Sequence, residues 1–112
     1  NKFYLTLKNL SKSDQVIEFY VDKNILENSK YFEKDKKIIL NQSFFNNPEE
    51  IILRSIMQVI KRISWKKNYP RGKKVNSLID SIKFSNKNVK LTLSGCIIEK
   101  IQDSVIIYPE KR

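Results

Sequence analysis

The apolar residues of this chain change their spacing part-way along it, and that change limits the fold more than any other feature. Ile52, Ile56, Val59, Ile60 and Ile63 recur at the interval of one helix face, and Val75, Leu78, Ile79 and Ile82 do the same. Further on, the pattern gives way to compact β-branched blocks, Cys96-Ile97-Ile98 and Val105-Ile106-Ile107, which suit strands. Ile38-Ile39-Leu40 is a third short run of this kind. The order predicts an α+β fold: about three helices on a small three-stranded antiparallel sheet, with a C-terminal β-hairpin. The last two strands span about Lys90 to Glu99 and Ser104 to Tyr108, joined by a turn near Gln102-Asp103. At 112 residues the chain is one domain with room for one modest core.

Local signals place the boundaries. Asn47 suits a helix cap, Pro48 the first helical position and Glu50 the third, with Glu49 and Glu50 complementing the helix dipole. Residues 3–25 fit a helix whose stripe is Phe3, Leu7, Leu10, Ile17, Val21 and Ile25, with Asp14 as its exception; a β-hairpin is the competing reading. The sustained stripe favours the helix. Residues 28–37 are polar and read as a surface connection, so residues 1–37 form a helical lead-in and 38–112 the part that bears motifs. Tyr69-Pro70-Arg71-Gly72 reads as a loop in which Gly72 invites an unusual backbone angle, and residues 85–90 read as a polar link.

Charge is segregated. From Arg54 to Lys90 there are eleven basic residues and one acid, Asp80, whereas the remaining residues hold eleven of each sign and sum to zero. A genome biased toward Lys codons raises Lys everywhere and does not segregate it. A localised cationic surface points to a polyanionic partner. The absence of His excludes imidazole metal sites, Ser-His-Asp triads and Cys-His pairs, and two glycines are too few for a Walker loop or a dinucleotide fingerprint. No apolar run is long enough to span a bilayer, no secretory leader is evident, and the lone Cys96 has no internal disulfide partner, all of which fit the cytoplasm. The chain begins at Asn1 rather than Met and reads as a piece of a larger protein.

Four features then recur in a familiar order: Pro48-Glu49-Glu50 leading to Leu53-Arg54-Ser55; Tyr69-Pro70-Arg71; a Leu-bearing helix from Val75; and Thr-Leu-Ser-Gly-Cys at 92–96, with a terminal hairpin ending in Glu110. Together they resemble the C-terminal, non-catalytic region of tRNA(Ile)-lysidine synthetase, in the short form seen in alphaproteobacteria. The likeness covers roughly residues 38–110 and is clearest in the Thr92–Cys96 hairpin and the Arg54 helix. The family more often has two prolines after the Tyr and a Gly where Ser94 stands. The resemblance implies an ATP-dependent carbon–nitrogen ligase that joins lysine to the wobble cytidine of an isoleucine tRNA. It implies too that the chemistry, with ATP and Mg, belongs to an N-terminal ATP-pyrophosphatase domain of the same protein. That domain's Ser-Gly-Gly-x-Asp-Ser loop is absent from this sequence, so the chain itself holds no cofactor and no catalytic residue.

Folded RNA is held mainly through phosphates and 2′-hydroxyls. The candidate RNA-binding residues are therefore Arg54, Lys61, Arg62, Lys66, Lys67, Arg71, Lys73 and Lys74. Arg54 can take a phosphate bidentately, or lay its stem on the core and pair with Glu49 or Glu50. Lys73 and Lys74 oppose the dipole of the helix they begin, which argues against a purely structural role. Trp65 and Tyr69 either stack on a base or close the core, Gly95 allows a bulge or close strand approach, and Cys96 is a small buried apolar residue. A generic nucleic-acid module or an anionic-membrane binder is the alternative, although no face of the basic segment pairs its cations with a strong apolar patch.

Overall fold

The computed structural model of the chain describes residues 12–64 and 70–110. Its elements are α1 (Lys12–Asn28), β1 (Ser29–Phe32), β2 (Lys37–Leu40), a 3-10 turn (Gln42–Phe45), α2 (Glu49–Ile63), α3 (Gly72–Phe84), β3 (Val89–Leu93), β4 (Cys96–Ile101) and β5 (Ser104–Pro109). The α+β class holds, with three α-helices among the described residues, as expected, but the sheet there has five strands rather than three. All neighbours are antiparallel, in the order β1-β2-β5-β4-β3.

The two missing strands have separate causes. Residues 29–32 lie in the segment read as a surface connection, yet they pair with β2 through Ser29–Leu40 and Tyr31–Ile38. Their turn carries neither Gly nor Pro; instead Lys36 takes a positive φ of 49° and donates its N–H to Glu33 O at 3.2 Å. The segment read as one strand from Lys90 to Glu99 is two strands. Ser94 (φ 50°) and Gly95 (φ 81°) both adopt the left-handed backbone that a two-residue hairpin needs, so Gly95 serves a turn and not a bulge. The turn at Gln102-Asp103 is as expected, with Gln102 at φ 57°.

Side chains alternate across the sheet. Ile38, Leu40, Cys96, Ile98, Val105 and Ile107 face inward and are buried, whereas Ile39, Ile97 and Ile106 on the other face are only half-buried. α2 lies over β5 and β2, α3 over β3, and α1 against α2. The whole expected stripe of α2 and all four expected residues of α3 are buried in this core. Of the α1 stripe, residues 3–10 lie outside the described residues, Val21 is buried, and Ile17 and Ile25 are half-buried. Val16 to Val21 are helical, which removes the hairpin reading for them.

Two polar devices join these layers. Asn24 on α1 is 3% exposed and fully paired: its Nδ2 donates to Phe44 O and Ser55 Oγ, both at 3.2 Å. Its Oδ1 accepts from Asn28 Nδ2 (2.9 Å) and Asn47 Nδ2 (3.1 Å). Asn47 is therefore committed to this network and does not cap α2, whose N-cap is Pro48, with no side-chain hydrogen bond. At the same end of the sheet, beside the turn that carries Phe45 and Asn46, Lys100 Nζ donates to Ile82 O and Ser85 O, each at 2.7 Å. A charged donor from β4 thus closes the C-terminus of α3 and suits its dipole. Lys100→Met is expected to lower stability by about 1–2 kcal/mol in urea titration, with Lys100→Arg recovering part of the loss; an unchanged midpoint for Met would show that the lysine does not support the helix end.

Candidate nucleic-acid interface

α2 ends at Ile63 because Ser64 turns extended (ψ 139°), its N–H still bonded to Ile60 O at 2.8 Å. The Ser64 hydroxyl donates to Ser94 O, which fastens the end of α2 to the tip of the β3–β4 hairpin. α3 begins beside the same hairpin. Arg71 is its N-cap, with extended backbone (φ −71°, ψ 141°) and its carbonyl accepting from Lys74 N and Val75 N. Gly72 is the first helical residue, so it does not take the unusual angle the sequence suggests; only Gly95 among the glycines has positive φ. The buried Pro70 precedes it.

The sequence candidates divide three ways. Arg71, Lys73 and Lys74 are exposed at the start of α3 and form no ion pair among the described residues. Lys73 and Lys74 rim a groove of about 600 Å³ between α3 and β3, whose apolar wall includes Leu78, Leu91 and Leu93. Lys61 and Arg62 are exposed in the last turn of α2, and the Arg62 guanidinium lies 4.3 Å from the centre of the Tyr31 ring. The Ser64–Ser94 bond sets the end of α2 beside the β3–β4 hairpin, along which Lys73 and Lys74 also lie, while the Arg62 guanidinium reaches toward β1 at the far edge of the sheet. Arg54 stands apart. It lies two turns back on α2, about 10 Å along the axis, and its Nε is 3.1 Å from Glu50 Oε1. A phosphate there must displace a half-exposed carboxylate. Lys66 and Lys67, with Trp65 and Tyr69, lie outside the described residues.

Cys96 is fully buried within the same hairpin, its Sγ 3.6 Å from Ile60 O. Burial pushes its thiol up to about 11, with the Glu110 carboxylate adding to the rise and a Ser64 hydrogen bond opposing it. The thiol is a core group and no nucleophile. As pH climbs past about 9, the unfolded chain loses this proton while the folded chain keeps it. Stability is thus full below pH 9 and falls as pH rises toward 11, by about 2–3 kcal/mol. A Cys96→Ala variant is expected to lack that alkaline loss, and the native thiol to resist alkylation at pH 8; rapid native-state labelling would contradict its burial.

The groove, the Tyr31–Arg62 stack and the Lys100 clamp were not read from the sequence. Each joins residues distant in the chain. A signal existed only for the hairpin, in the Ser94-Gly95 pair flanked by apolar residues. Among the described residues no helix is long and apolar enough to cross a membrane. No protein-family model, no curated protein and no solved structure matches the chain.

Proposed function

We propose that the chain is an RNA-binding module that grips the phosphates of a folded RNA with the cations at the end of α2 and the start of α3. The observation that carries this reading is the exposed set Arg71, Lys73 and Lys74, unpaired with any acid among the described residues and set where a helix start favours anions rather than cations. Such a placement weakens α3 slightly and gains only if an anion arrives. The motif resemblance narrows the RNA to an isoleucine tRNA. In that reading the chain is the non-catalytic end of a cytoplasmic lysidine-forming ligase. It holds the tRNA body while the ATP-pyrophosphatase domain of the same protein modifies the wobble cytidine.

Filter binding of an isoleucine tRNA transcript tests this. Neutralising about five phosphates predicts a log–log salt slope near −3 to −5, and Lys73→Glu with Lys74→Glu is expected to weaken binding by about 10–100-fold. A slope near zero, or a double variant that binds as tightly as the native chain, would overturn the reading. Co-sedimentation with anionic liposomes in competition with the tRNA separates it from membrane binding: the tRNA is expected to win.

A further inference from the structure

β3 lies at the end of the sheet, and among the described residues it pairs only with β4. A two-residue turn makes Leu93 and Cys96 exchange backbone hydrogen bonds, and the alternation of an antiparallel ladder extends this to Leu91–Ile98 and Val89–Lys100. The backbone N–H and C=O of Lys90 and Thr92 consequently point away from β4, toward the open edge. The groove beside α3 runs along this edge. It is lined by Leu91 and Leu93 from the inner face of the sheet and by Thr92, which belongs to the outer one. Leu78 lines it from the helix, and Lys73 and Lys74 stand over it.

We propose that this groove takes an extended acidic peptide segment, which adds to β3 as a sixth strand. The backbone of Lys90 and Thr92 would supply the ladder bonds, and the strand period of two then fixes the side chains. Alternate residues of the segment turn inward onto Leu78, Leu91 and Leu93 and must be apolar. The residues between them turn to the outer face beside the exposed Lys90, where acidic side chains suit, and Lys73 and Lys74 on the helix side of the groove attract a segment of net negative charge as a whole. Charge complementarity selects this occupant: the cations around the groove have no acid paired with them among the described residues. An uncharged or basic strand would gain the same backbone bonds but meet repulsion or no attraction. The site shares Lys73 and Lys74 with the RNA reading, so a bound segment and RNA compete, but its ladder bonds come from Lys90 and Thr92, which that reading does not use.

The test uses the full chain, isotope-labelled, and a capped heptapeptide alternating Val and Glu. At saturation, hydrogen exchange of the Lys90 and Thr92 amides is expected to slow at least tenfold, while that of Leu91, already bonded across to Ile98, changes little. Thr92→Pro removes one outward donor at an edge position that tolerates proline, and is expected to abolish peptide binding while leaving tRNA binding intact. Should that variant fold poorly, Lys73→Glu with Lys74→Glu carries the test, with an expected loss of at least tenfold in peptide affinity. Equal binding of a Val–Lys peptide, peptide binding without slowed exchange at Lys90 and Thr92, or slowing produced by tRNA instead of the peptide would each overturn the proposal. Loss of tRNA binding by the native chain would overturn only the RNA reading.

Discussion

Phe44→Ala is expected to lower the stability of this fold by about 3–5 kcal/mol, a large share of the 5–15 kcal/mol typical of a domain. Phe44 comes from the 3-10 turn between β2 and α2 and is wholly buried in the main core. Its ring stands 5.2 Å from that of Phe45, inclined at 62°. The turn that delivers it is capped by Asn41, whose Oδ1 accepts from Phe44 N at 3.1 Å, and is tied down through Phe44 O by Asn24 and Asn47. A backbone held at both ends relaxes little into a cavity, which puts the loss at the high end of the range. Urea titration checks this: the midpoint should fall with little change of slope, and Phe44→Leu should recover most of it. A loss below about 1 kcal/mol would mean the turn collapses freely.

Asn24→Leu is expected to lower stability by about 2–4 kcal/mol, even though it places an apolar side chain of similar size in a buried site. The substitution strips two donors and an acceptor from the centre of a saturated network. The Nδ2 groups of Asn28 and Asn47 lose their shared acceptor, and Ser55 Oγ and Phe44 O each lose a donor. Asn47 still donates to Phe44 O and Ser55 Oγ still donates to Ile51 O, but the loss of four bonds, one of which leaves Asn28 Nδ2 without its acceptor, outweighs the apolar gain. Because Asn24 holds the carbonyl of Phe44, the Leu and Ala variants should combine non-additively. Strict additivity in the double variant would show that the network and the aromatic act separately.

How far the sequence led depends on whether a residue's structural partner was near it in the chain. The stripe from Ile52 to Ile63 needed only local spacing, and every one of its residues is buried as expected. Asn47 looked like a cap by the same local logic, but Asn24 is 23 residues away and wins the side chain through a hydrogen bond that no local pattern shows. β1 was hidden for another reason: Ser29-Lys30-Tyr31-Phe32 is short and half polar, and its hairpin uses Lys36 where a glycine would have announced a turn. In the candidate site, the cations and their segregation were plain. The groove they overlook was not, because Leu78 and Leu91 meet only once α3 lies over β3.

The order of the strands has a consequence in time. β5 is the last strand among the described residues and lies at the middle of the sheet, where it joins β2 to β4. On a ribosome, Ile38 and Leu40 wait for Ile107 and Val105 while the intervening residues are made, roughly 3–13 s at about 5–20 residues per second. For that interval the β1–β2 hairpin can form, and helices can form over it, but β2 keeps an unpaired edge. The dangerous period for this chain is therefore its own synthesis, when that edge is open to any neighbouring strand.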